Sequence, residues 1–116
     1  MTVSGAARGA ASGYEPGGAA ARMARERLEH ERRTRTAQLV IAEYEAGNRA
    51  DEAAVARGDR LRRSLEDIEA ALARLDAGTY GICQDCGTKI PADRLEILPF
   101  ARCCVPCQER HQRTEC

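Results

Sequence analysis

Four cysteines in two C-x-x-C pairs, Cys83/Cys86 and Cys104/Cys107, are the residues of this 116-residue chain best suited to chemistry. Seventeen residues separate the pairs, which fits the loop of about 15 to 20 residues found in two-pair zinc sites. Two thiolates three positions apart reach one ion when the chain between them turns tightly. Gly87, just after the first pair, can supply the positive φ that such a knuckle needs. Two knuckles complete a tetrahedron of four sulfurs, with Zn–S bonds of about 2.3 Å. Four protein ligands leave no open position, so the spacing predicts one structural zinc, and folding of this part should depend on it.

Two further cysteines, Cys103 and Cys116, are expected to be spare thiols. Cys103 is an alternative to Cys104, with C-x-x-x-C spacing. Cys116 stands at the C-terminal position and is expected to be exposed and open to oxidation or crosslinking. His111 is an alternative ligand, but four cysteines already fill the shell. It reads as a surface histidine on a short C-terminal helix. A thioredoxin-like role does not fit, because no strand alternation surrounds Cys83 and the second pair has no place in that scheme.

These cysteines need a support, and the preceding residues supply a helical one. Residues 19–46 lack Gly and Pro and are rich in helix formers, which predicts a helix. Ala20, Met23, Ala37, Ile41 and Tyr44 fall on one face, and the C-terminal half offers the better packing. At "AGNRAD" the helix is expected to break, with Gly47 ending it and Asn48 or Asp51 capping the next. Residues 51–76 form the clearest helix: Leu61, Leu65, Ile68, Leu72 and Leu75 repeat at a/d spacing, Val55 and Gly58 extend the line, and Gly78 stops it. A short break between two long helices implies an antiparallel hairpin. A helix of 26 residues is about 40 Å long. The fold class is therefore all-α: a two-helix coiled-coil hairpin with a small four-cysteine zinc module and a short C-terminal helix. The divisions are a disordered tail at 1–18, the hairpin at 19–78 with its tip at about 47–53, and the zinc module with C-terminal helix at 79–116.

Composition narrows the function. With three Tyr, one Phe and no Trp, the chain cannot build an ordinary globular core and needs another stabiliser: a metal, disulfides, helix pairing or a partner. Eighteen basic and eighteen acidic residues cancel, so there is no overall basic footprint for nucleic acid. Charged runs such as "RERLEHERR" read as solvated surface with i,i+4 pairing. Arg94, Arg102, Arg110 and Arg113 could form a local basic patch, but only Tyr80 and Phe100 offer rings for stacking. No stretch reaches the roughly 18 apolar residues of a membrane span, and the N-terminus has no apolar signal core. A cytoplasmic location is expected. No nucleophile–base pair or open metal position suggests an enzyme.

"YGICQDCGTKIPADRLEILPFARCCVPCQ" resembles the DksA/TraR zinc-finger family, with Tyr-Gly before the first pair, Cys-x-x-Cys-Gly, Arg-Leu, a Pro, then Cys-x-x-Cys-Gln. The preceding "LEDIEAALARLDAGTYG" is similar to that family's second coiled-coil helix, so the likeness covers about residues 64–108. It implies zinc ligands at Cys83, Cys86, Cys104 and Cys107, with Cys103 outside the set. It also implies a regulator that binds bacterial RNA polymerase, enters the secondary channel with the hairpin, and alters initiation without binding a DNA sequence itself. The family's tip pattern, Asp-x-x-Asp-x-Ala, is met here by Asn48, Asp51 and Ala53, with Glu52 adding a carboxylate. A carboxylate carried to a Mg²⁺-bearing centre would perturb it electrostatically; alternatively Asp51 only caps a helix.

Three departures from the family stand out. The second helix is about a heptad shorter between tip and first cysteine. The positions that bind ppGpp in responsive members correspond to Leu98 and Gln108, which cannot pair with phosphate as Arg or Lys would, so the ppGpp response should be weak or absent. The long N-terminal part of full-length members is missing. Arg94 serves either the fold or docking to polymerase. The competing reading is a zinc-stapled coiled-coil adaptor for another protein, with no direct effect on transcription.

Overall fold

The computed structural model describes residues 13–115 and measures 58 × 35 × 24 Å along its principal axes. Two long helices, α1 (Ala19–Arg49) and α2 (Glu52–Ala77), form an antiparallel hairpin; two short ones, α3 (Ala92–Ile97) and α4 (Val105–Glu115), belong to the cysteine module. The described residues hold no strand, only a single antiparallel bridge between Ile82 and Lys89.

Ion pairs record the register of the hairpin. Arg25 meets Asp76 near its base, Arg32 meets Glu69 at 2.8 Å, Arg62 meets Glu43 at 2.8 Å, and Arg57 meets Glu45 at 2.6 Å near the tip. Pairs within one helix also occur, Glu31 with Arg35 and Asp59 with Arg62, but the charged runs serve mainly to bridge the two helices. Most are solvent-exposed, with Glu31–Arg35 and Arg57–Glu45 partly buried, and exposed pairs contribute up to about 1 kcal/mol each.

The buried face of α1 differs from the expected one. Ala21, Ala24, Leu28 and Ala42 are buried, whereas Met23, Ile41 and Tyr44 are 64, 58 and 63 % exposed. The packing seam lies beside the predicted stripe, because small alanines let α2 approach more closely than Met or Tyr would. The N-terminal half of α1, not the C-terminal half, carries most of the burial. On α2, Ile68, Leu72 and Leu75 are buried as the a/d spacing requires, while Leu61 and Leu65 are half-buried. Toward the tip Ala54 is buried in place of Val55.

The turn also differs. α1 runs through Gly47 and Asn48, and the reversal falls on Ala50, which takes a left-handed φ of 50°. Asp51 caps α2 as expected: its Oδ1 accepts from the Ala53 and Ala54 amides at 3.0 and 3.2 Å. Asn48 does not cap; its amide donates to the Tyr44 carbonyl at 3.0 Å. At the other end Gly78, at φ 81°, terminates α2 with the Thr79 amide donating back to the Arg74 carbonyl.

The core sits at the junction of hairpin and module. Leu28, Ile68, Leu72 and Leu75 pack with Tyr80, Ile90, Leu95, Ala101 and three cysteines in one cluster. Burying each large apolar side chain contributes about 1.5–3 kcal/mol. Of the expected tail, residues 1–12 lie outside the described residues. Residues 13–18 form a turn that carries the Tyr14 ring edge-on to Tyr80, with centroids 4.8 Å apart.

Candidate metal centre

The chain leaving α2 turns through Thr79 and enters the first knuckle. There the Cys83 amide donates to the Thr88 carbonyl at 2.8 Å, and the Gly87 amide donates back to the Cys83 carbonyl at 3.0 Å. Gly87 takes φ 78°, the conformation the spacing called for. The second pair opens α4: Cys104 precedes it, Cys107 lies in its first turn, and the Gln108 amide donates to the Cys104 carbonyl at 3.0 Å. A Gln84 amide bond to the Arg102 carbonyl at 2.9 Å joins the two knuckles.

This scaffold gathers the sulfurs of Cys83, Cys86, Cys104 and Cys107 within 4.8 Å of one another. Cys86 and Cys104 are 3.8 Å apart, close to the roughly 3.8 Å edge of a tetrahedron with 2.3 Å Zn–S bonds. Cys83 and Cys107 are buried, Cys104 is half-buried and Cys86 is exposed; none is in a disulfide. The cluster is able to bind one zinc ion.

Electrostatics fit a cation. Burial pushes the Cys83 thiol up, but backbone amides around it, beginning with Cys86 and Cys104, outweigh burial and hold it at about 6. The Thr88 hydroxyl, 3.0 Å from Cys86 Sγ, lowers Cys86. Burial, followed by the neighbouring sulfurs, pushes Cys107 up to about 12, against Arg110, whose guanidinium donates to its sulfur at 3.0 Å. Cys107 thus resists ionising beside the neighbouring sulfurs, and a central dication removes that conflict.

Residues 78–113 match the family model described as the prokaryotic dksA/traR C4-type zinc finger. Residues 78–113 thus carry this family's zinc-finger pattern. Similar proteins include the RNA polymerase-binding transcription factor DksA of Caulobacter vibrioides, 44 % identical over 57 residues that cover 49 % of this chain and 40 % of that protein. General stress protein 16O of Bacillus subtilis is 45 % identical over 47 residues, 40 % of this chain and 29 % of that one. The chain thus covers less than half the length of these curated relatives. The solved structure of transcription factor DksA2 from Pseudomonas aeruginosa shares 29 % identity at a TM-score of 0.66, over 80 % of this chain and 83 % of that one. The DksA/TraR likeness therefore extends in fold from the finger into the hairpin.

Other expected site residues spread out. Asn48, Asp51, Glu52 and Ala53 gather at the hairpin's free end, away from the cysteines. Arg94 lies in the module, its Nε donating to the Cys103 carbonyl at 3.1 Å. Together with Leu98, Phe100, Arg102 and Gln108 it lines a shallow cleft of about 440 Å³. His111 is outside the four-sulfur cluster and bonds Asp85 instead. Cys103 is buried beside that cluster and does not join it. Cys116 lies outside the described residues.

Sequence reasoning missed Arg27, Arg74 and Tyr80 as structural residues. Arg27 donates to the carbonyls of Leu95 and Glu96 at the end of α3. Arg74 is buried with its guanidinium 3.5 Å from the Ala101 carbonyl, and burial lowers its pKa. No local pattern announces either, since both partners are distant in sequence.

Proposed function

We propose that this protein binds bacterial RNA polymerase, inserts the hairpin into the secondary channel and modulates initiation, with one zinc held by Cys83, Cys86, Cys104 and Cys107 fixing the base. The observation that carries this reading is the hairpin's polarity: Asp51, Glu52 and Ala53 stand at the free end of α1 and α2, opposite the four-cysteine cluster. The names of the DksA relatives support the choice of partner. The protein acts through its partner, not as an enzyme and not by reading DNA sequence. None of the helices among the described residues is long and apolar enough to cross a membrane, and the proposed partner places the protein in the cytoplasm. Leu98 and Gln108 bring no charge to the cleft, and Arg94 is engaged with Cys103, so the ppGpp response is weak or absent. On this reading Arg94 holds the module together, and docking uses the surface it supports.

One observation favours the adaptor reading. Asp51 already caps α2 through Oδ1, so its presence at the tip has a purely structural explanation. Binding of the zinc-loaded protein to polymerase core, with a known secondary-channel factor as competitor, decides between them. Competition and altered initiation are expected. Absence of binding to polymerase from its own or a related host leaves a zinc-stapled adaptor.

A further inference from the structure

We propose that Asp85, Cys103 and His111 form a second metal site, separate from the four-cysteine cluster and suited to zinc. Asp85 Oδ2 lies 3.8 Å from Cys103 Sγ and is also the atom bonded to His111 Nε2. The three donor atoms lie within 4.8 Å of one another. They come from three places: the first knuckle, the residue before the second pair, and α4 one turn past Cys107. Their convergence is a tertiary fact that no local sequence feature requires.

The geometry suits a small dication. Zn–S bonds of about 2.3 Å and Zn–N or Zn–O bonds of about 2.0 Å place neighbouring tetrahedral donors about 3.3 to 3.5 Å apart. The Asp85–Cys103 separation already approaches this. Cys103 is 2 % exposed and held by its surroundings, whereas Asp85 and His111 are partly exposed side chains bonded to each other, and that bond opens to admit the ion. A thiolate, an imidazole and a carboxylate form a mixed donor set within zinc's range. Three protein ligands leave the fourth position to water, and exposure on the Asp85–His111 side gives an entry path. A zinc held by four thiolates is anionic overall, which favours a second cation nearby. Arg110, donating to Cys107, already answers part of that charge.

The second site rests on the zinc reading of the first only through the folded module. It predicts one tightly held zinc and one weaker, exchangeable metal per chain. The full zinc-loaded protein is titrated with Co²⁺, which does not displace zinc from a four-thiolate site of higher zinc affinity. A thiolate-to-cobalt charge-transfer band rising to one equivalent is expected. Cys103→Ser should abolish the band while one zinc is retained. Asp85→Asn and His111→Gln should each weaken cobalt binding by about tenfold or more. Absence of the band in the zinc-loaded wild type, or its persistence unchanged in all three variants, overturns the proposal. Failure of the four-cysteine reading shows separately, as less than one zinc per chain before any cobalt is added, and the second site falls with it.

Discussion

The Tyr80 hydroxyl donates a 2.7 Å hydrogen bond to the carbonyl oxygen of Pro99. Tyr80 follows the end of α2, and Pro99 stands between α3 and the second cysteine pair, so one buried side chain ties the hairpin to the loop that brings Cys104 and Cys107 home. Tyr80→Phe leaves that carbonyl without its donor. A loss of about 1–3 kcal/mol is expected, read as a lower urea midpoint of the zinc-loaded protein.

The same residue sets an alkaline limit. Burial, reinforced by Tyr14, raises the Tyr80 phenol to about 12. A folded pKa above the unfolded value of about 10 means the contribution is complete below pH 10 and lost as pH rises through 12. Wild type should therefore lose stability across that window more steeply than Tyr80→Phe. Equal slopes in denaturant titrations at matched pH would contradict the assignment.

Zinc removal should unfold the module and loosen the hairpin's base, because Cys83, Cys103 and Cys107 share one cluster with Leu28, Ile68 and Leu75. Cys86→Ser should lose the metal and a large part of the ellipticity of the base, while Cys103→Ser keeps the first zinc. Thiolates must be deprotonated to bind, so apparent affinity falls as pH is lowered. Metal content by mass spectrometry beside far-ultraviolet circular dichroism checks all three.

The seam of the hairpin can be tested by contrast. Leu28 is fully buried and Met23 is 64 % exposed. Leu28→Ala should cost about 2–5 kcal/mol, and Met23→Ala within about 0.5 kcal/mol. Similar losses at both positions would place the contact on the other stripe.

Two backbone substitutions in opposite directions should both stabilise. Ala50 holds a left-handed φ of 50°, a conformation that costs a non-glycine residue about 1–2 kcal/mol, so Ala50→Gly relieves it. Gly58 lies inside α2, where an added Cβ would meet Arg62 Nη1 at 3.6 Å and Leu39 Cδ1 at 3.7 Å, ordinary contacts. Gly58→Ala should add about 0.5–1 kcal/mol. Thermal midpoints of the two variants and their combination measure this.

At the tip, Asp51→Asn separates cap from charge. Asn caps a helix about as well as Asp, so folding should be unchanged within about 0.5 kcal/mol. An effect on initiation should disappear while polymerase binding remains. An unchanged effect on initiation would reduce Asp51 to a cap.

Much of this molecule is legible in its sequence. The spacing of Cys83, Cys86, Cys104 and Cys107 determined the four-sulfur cluster, because C-x-x-C turns and the loop between them constrain where sulfurs can go. The line from Ile68 to Leu75, the stop at Gly78 and the cap at Asp51 are likewise local properties, set by periodicity and by backbone groups within a few residues. Tertiary structure decided the rest. Which stripe of α1 faces α2 depends on how closely two backbones approach, so Ala21 and Ala24 prevailed over Met23. The reversal moved from Gly47 to Ala50 because the hairpin's register, not glycine's freedom, placed the turn. Tyr14 against Tyr80, and Asp85 beside Cys103 and His111, are meetings of residues far apart in the chain; their energies arise only once the junction core has formed.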